Sequence, residues 1–139
     1  MKKQLKVKTI TQKVVIPASP QEVYDAYVDP KKHSEFTDAK ATGKPVVGGK
    51  MTAWDGYIWG KYLELEPGKR IVQEWTTTDW VEGFGPSKLE LCLKKVPEGT
   101  ELVMVNSDVP EEQADEVDQG WIDYYWNPLK EYFNKKPKA

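Results

Sequence analysis

One cysteine, Cys92, and one histidine, His33, are all the sequence holds of those residues in 139 positions. A single cysteine excludes an internal disulfide, which fits a reducing compartment, and the cytoplasm is the expected location. One histidine and one cysteine, far apart, give no set at metal-ligand spacing, so neither a metal nor a cofactor is expected. A thiol with no histidine to activate it is also a poor nucleophile. No stretch approaches the ~20 apolar residues of a membrane span. The opening MKKQLKVKTITQKVVIP has lysines but no apolar run of signal-peptide length. Neither sign of charge dominates: 20 Lys and Arg stand against 22 Asp and Glu, a net charge of −2. That is no basic footprint for nucleic acid, and it steers no anionic partner. Lysines at the two ends (Lys2, Lys3, Lys6, Lys8; Lys135, Lys136, Lys138) read as solubilising tails. Repeats, low-complexity tracts and internal linkers are missing too, so residues 1–139 are expected to form one domain. A chain of this length can bury roughly 68–70% of its unfolded surface without staples.

Aromatics are plentiful by contrast: six Trp, seven Tyr and three Phe beside a charged fraction of 30%. Three of the tryptophans fall in GGKMTAWDGYIWGKYLELEPGKRIVQEW, from Gly48 to Trp75. The alternating run KVKTITQKVVIPAS predicts a strand over Leu5 to Ile16, ended by Pro17. SPQEVYDAYVDP then predicts a helix with Ser19 as N-cap, Pro20 at the first helical position and Glu22 completing a capping box. Val23, Ala26 and Tyr27 form its apolar face, and Pro30 stops it. A second short helix is predicted over Lys31 to Phe36. From Lys40 the period changes to two, and glycine-containing turns separate strands over Ala39–Val47, Lys50–Trp54, Tyr57–Leu65, Arg70–Thr77, Ser87–Val96 and Thr100–Ser107. Leu89, Leu91 and Leu93 share one face, with Cys92 on the other; Leu102, Met104 and Asn106 also share a face. A sheet with one apolar face needs one cover. PEEQADEVDQGWIDYYWNPLKEYFNKK supplies it as one long helix. Its stripe is Val117, Trp121, Tyr125, Leu129 and Tyr132 or Phe133, with a bend expected at Pro128. The fold class is α+β: a strand, two short helices, an antiparallel meander and a long C-terminal helix across a curved sheet.

Most candidate chemical groups have plain roles. His33, in a polar helical turn, is expected on the solvated surface. Glu111, Glu112, Asp115, Glu116 and Asp118 are expected to be a solvated helix start that complements the helix dipole. Asp55 is a turn residue before Gly56. Glu64 and Glu74 are expected to face water or pair with lysines across strands. The aromatics carry the open question. They either fill the space between helix and sheet, as rings efficiently do, or line a hollow with a few polar anchors, Asn106, Tyr125 and Gln73 among them. Alternation sends Trp59 and Trp75 to opposite faces unless Gly60 marks a bulge.

PQEVYDAYVDP, the Gly48–Trp75 stretch, the Trp80-Val-Glu-Gly segment, SKLELCLKKV, GTELVMVNSDVP and GWIDYYWNPLKEYF occur in an order and spacing that resembles the activator of heat-shock protein 90 ATPase homologue family. That family is a branch of the START-like (SRPBCC, birch-pollen-allergen-like) helix-grip superfamily. The resemblance, from about Lys8 to Phe133, implies about seven antiparallel strands wrapped round a long C-terminal helix, with two small helices closing one end. It also implies, as for many relatives, a cavity for an apolar or amphipathic molecule. The chain is expected to be the START-like domain alone, without the separate N-terminal domain of the eukaryotic cochaperones. Where many relatives carry a histidine, this chain has Asn106.

Three functions follow as expectations. The first is a non-enzymatic domain holding a small apolar ligand in a cavity lined by Phe36, Trp54, Tyr57, Trp59, Trp75, Leu89, Leu91, Met104, Asn106, Trp121 and Tyr125. The second is a partner of a heat-shock protein 90 class chaperone. The third is a cyclase- or hydratase-like enzyme using Asn106, tyrosines and Asp123 or Glu90, and it ranks last because placed acids and bases are scarce. A monomer or weak homodimer is expected, the latter through Trp80, Val103 or Val105.

Overall fold

A computed structural model describes residues 6–135; Leu5, the expected start of the first strand, and Lys2, Lys3, Lys136 and Lys138 lie outside them. Strand β1 runs Val7–Ile16 and is followed by helix α1, Pro20–Val28. Both halves of the capping box are present: the Ser19 hydroxyl accepts from the Glu22 N–H, and the Glu22 carboxylate accepts from the Ser19 N–H. Two donors that helix geometry leaves orphaned are satisfied in this way. Asp29 ends α1 and also caps α2, Pro30–Thr37, by accepting from the Lys31 N–H at 2.9 Å. The second helix is thus a residue longer at each end than the sequence suggests.

The remaining strands are β2 (Thr42–Gly43), β3 (Lys50–Ala53), β4 (Ile58–Glu66), β5 (Arg70–Thr77), β6 (Ser87–Val96) and β7 (Gly99–Pro110). They form one curved, antiparallel, seven-stranded sheet in the order β1-β7-β6-β5-β4-β3-β2. β2 is far shorter than the expected Ala39–Val47. Pro45 has no N–H for a ladder, and tight turns take over, with Val46 N bonding Lys44 O and Gly49 N bonding Val46 O. Gly60 does not mark a bulge. It sits opposite Trp75, where a Cβ would come within 1.8 Å of the Glu74 carbonyl oxygen, so the position takes no side chain. The irregularity in β4 comes later, between Tyr62 and Glu64.

Leu89, Leu91, Leu102 and Met104 are buried on the inner face, and Cys92 lies opposite Arg70 on the outer one. Arg70 there ties together Glu90 at 2.7 Å and Glu64 at 3.1 Å, so Glu64 pairs with an arginine rather than a lysine. The C-terminal helix crosses the inner face in three continuous stretches: α3 (Ala114–Trp121), a π-helical turn (Ile122–Trp126) and α4 (Asn127–Lys135). The π turn answers the difficulty posed by Pro128. A proline clashes with the carbonyl four residues earlier, and a widened turn just ahead relieves that clash. The extra residue in the turn also brings Tyr125 and Trp126 inward together, both buried. The expected stripe therefore gains Trp126, whose indole N–H donates to Gln12 Oε1 at 2.6 Å.

Candidate functional site: an aromatic cleft under the C-terminal helix

Where α3 and the π turn leave the sheet near the β3–β4 connection, a cleft of ≈ 400 Å³ opens. Its floor is Ile58, Trp75 and Thr77 from the sheet; Trp54 and Tyr57 come from the intervening turn. The helix contributes Glu116, Val117, Gly120, Trp121, Tyr124 and Tyr125, and Gln113 comes from the turn just ahead of it. The helix lacks a side chain at Gly120, where only the Tyr124 ring lies within contact distance of a built Cβ. Trp54 is held in the left-handed region (φ 52°), unusual for a bulky residue, and so is Asp55 (φ 57°). Asp55 secures this turn as the sequence suggests: its carboxylate accepts from the Lys40 N–H and its own N–H donates to Lys40 O, both at 3.0 Å.

The walls are aromatic rings in mutual contact, tilted or edge-to-face. Trp121 lies 5.2 Å from Trp75, 4.8 Å from Tyr125 and 5.3 Å from Trp126, centroid to centroid. Tyr124 closes on Trp54 edge-to-face at 5.5 Å. Among the expected cavity residues, Trp54, Tyr57, Trp75, Trp121 and Tyr125 line this cleft. Trp59 does not: it is 49% exposed, because period-two alternation turns it to the outer face, away from Trp75. Leu89, Leu91 and Met104 are packed in the core beneath the helix, and Phe36 packs on Tyr125 and Tyr132 from α2. Asn106 is also buried outside the cleft wall. It acts on the cleft indirectly, since its Oδ1 accepts from Trp121 Nε1 at 3.3 Å while its Nδ2 donates to Ser87 Oγ at 3.0 Å and Lys88 O at 3.2 Å. Gln73 is a similar case, buried and accepting the Tyr27 hydroxyl at 2.6 Å.

His33 overturns its expected place on the surface. It is only 1% exposed, because α2 packs its side chain among Tyr27, Phe36 and Tyr125. Nδ1 lies 2.8 Å from Tyr27 O and Nε2 2.9 Å from the Tyr125 hydroxyl. A carbonyl can only accept, so Nδ1 carries the proton and Nε2 accepts from Tyr125. Burial lowers the His33 pKa from 6.5 to about 4, against a smaller upward pull from the Tyr27 carbonyl. Burial also pushes the Tyr125 phenol well up, helped by Tyr62. The Trp54 indole N–H lies near enough to Tyr125 to pull slightly the other way, though not in hydrogen-bonding geometry. At the mouth, the Tyr57 hydroxyl donates to Asp79 at 2.7 Å, and Thr77 donates to the same oxygen at 2.6 Å. Burial and then that bond to Asp79 raise Tyr57; the bonds from Thr77 and Tyr57 lower Asp79.

The five acids of the helix start are exposed, with Glu116 at the cleft rim. Glu90 is bound to Arg70 outside the sheet, and Asp123 is exposed, so neither enters the cleft. Among the described residues no cluster of His, Cys, Asp and Glu could hold a metal ion, and no helix is long and apolar enough to cross a membrane. Tyr124 was not legible as a site residue, because the π turn shifts the helical phase that sequence periodicity assumes, and Gln113 was not, because it lies in a tight turn ahead of the apolar stripe.

Residues 17–134 match the sequence profile described as activator of Hsp90 ATPase homolog 1-like protein. The chain belongs to that family. It is 33% identical over 124 residues to the human activator of 90 kDa heat shock protein ATPase homolog 1, covering 89% of this chain and 36% of that protein. The corresponding activator of Dictyostelium discoideum is 27% identical, over 94% of this chain and 34% of its own length. The chain thus spans about a third of the length of these curated relatives. Among solved structures, an HSP90 activator from Plasmodium falciparum superposes with a TM-score of 0.81 at 20% identity, covering 95% of this chain and 99% of its own. The helix-grip fold of Hsp90-activator-like proteins is therefore the fold of this one.

Proposed function

We propose that this chain is a cochaperone-like partner of a heat-shock protein 90 class chaperone, docking through the mouth of the aromatic cleft. The observation that carries the reading is the sequence match to the human activator across nearly the whole chain. The geometry supports it. Tyr124 is 57% exposed and Tyr57 42% exposed on opposite sides of one opening, and exposed tyrosines around an apolar depression suit a protein contact. A cytoplasmic location belongs to this proposal. So does a weak homodimer, since a structural relative from Colwellia psychrerythraea is described as an Aha1 dimer. The test is calorimetric titration of a purified chaperone of this class. Binding that Tyr124→Ser weakens by roughly tenfold supports the reading; no heat and no complex on sedimentation would remove it.

A second reading is favoured by the interior of the cleft. Its ≈ 400 Å³ falls inside the range of small-molecule sites, roughly 300–1,000 Å³, and apolar rings dominate its walls. In this reading the cleft holds a small apolar molecule without acting on it. Native mass spectrometry of the freshly purified protein tests it: an added mass lost on unfolding is the expected result, and a bare chain mass with no binding of added apolar probes contradicts it.

A further inference from the structure

We propose that the cleft selects flat, neutral, apolar molecules that carry a hydrogen-bond acceptor, such as a ketone oxygen. This deepens the second reading above and rests on it. The selection follows from how the cleft's polar groups are already committed. Tyr125 has one hydroxyl proton and gives it to His33 Nε2. Tyr57 and Thr77 give theirs to Asp79. The Gln113 carbonyl oxygen is occupied by the Val81 N–H at 2.6 Å. The buried groups left over are donors: the indole N–H groups of Trp54 and Trp75, both in the cleft wall, have no partner.

A buried donor with no acceptor costs free energy, and native structures rarely keep one without a reason. Water or a ligand in the adjoining cleft can supply the acceptor. A ligand that brings a carbonyl satisfies one of these indoles and buries its own apolar body against the rings of Trp75, Trp121 and Tyr125. A hydrocarbon of the same shape leaves both N–H groups unpaired. An anion is disfavoured, because the lining includes the acid Glu116 and no lysine, arginine or histidine. The choice of a flat skeleton follows from the ring faces of the wall, where Trp121 lies 5.2 Å from Trp75 and 4.8 Å from Tyr125.

Three probes of one skeleton test this: fluorenone, fluorene and fluorene carboxylate, each titrated calorimetrically into the full chain at neutral pH. Fluorenone is expected to bind roughly tenfold more tightly than fluorene, the yield of one hydrogen bond to an otherwise unpaired donor. The carboxylate is expected to bind most weakly. The double variant Trp54→Phe with Trp75→Phe keeps aromatic walls and removes both N–H groups; it is expected to bring the fluorenone-to-fluorene ratio close to one. Should that variant fail to fold, the ratio in the native protein still decides. Equal affinities for fluorenone and fluorene would overturn the acceptor preference while leaving the ligand reading intact. Tightest binding of the carboxylate would overturn the preference for neutral molecules. No binding of any probe would overturn both.

Discussion

His33 shows how far a residue's surroundings can depart from its neighbours in sequence. Lys31, Lys32, Ser34 and Glu35 flank it, and they are the reason a solvated place looks natural; yet one face of α2 carries His33, Phe36 and Thr37 inward. The consequence is measurable. With a folded pKa of about 4 against an ordinary 6.5, the unfolded chain binds the His33 proton first as pH falls. The stabilisation is complete above about pH 6.5, declines as pH drops from there, and levels off once pH is below about 4. The loss amounts to roughly 3 kcal/mol. Urea denaturation across pH 7 to 4 is expected to show that decline, and His33→Phe to flatten this part of it. Asn106 was legible as an inward polar residue through alternation on β7, but its partner was not. It orients Trp121 rather than facing a ligand. Asn106→Ala strands the Trp121 N–H and is expected to destabilise the fold by about 2 kcal/mol, read as a lower urea midpoint with an unchanged slope.

The elements were legible where local chemistry fixes them. Ser19, Pro20 and Glu22 announce α1, and the capping box they form is the one found. Ser19→Ala is expected to cost about 1 kcal/mol, visible as a modest fall in melting temperature. Elements were illegible where tertiary packing overrides the local signal. β2 contracts to two residues because Pro45 and the turns after it break the ladder, and the C-terminal helix hides a π turn that no periodicity displays. A bulge at Gly60 was an open alternative because glycine in a strand marks either a bulge or a close approach of two backbones. Here it is the second: there is no space for a Cβ against the Glu74 carbonyl. Gly60→Ala is expected to destabilise by about 3 kcal/mol and to disturb Trp75 directly opposite, so near-ultraviolet circular dichroism should change along with the urea midpoint.

At the scale of the whole molecule, the order of strand, paired helices, meander and long helix was enough to give an α+β fold with a helix across a curved sheet, because each change in hydrophobic period marks one layer, while the helix-grip fold itself was implied by the family resemblance. The cleft was half legible. Tryptophans 54, 75 and 121 were placed around the helix–sheet gap, but whether a gap remained depended on side-chain packing, on Gly120 and on the turn at Trp54, none of which a pattern of apolar residues encodes. The aromatic rings of the Gly48–Trp75 stretch accordingly divide, with Trp54 and Trp75 in the cleft wall and Trp59 on the outer surface. What that opening meets is tested most directly by the steady-state ATP hydrolysis rate of a purified heat-shock protein 90 class chaperone as this chain is added. The rate is expected to change saturably with concentration, and Tyr124→Ser should shift the midpoint upward by more than the loss of its one edge-to-face contact with Trp54 accounts for, with urea denaturation of the variant measuring that loss. A rate unchanged by a large molar excess of the chain would contradict the proposed docking.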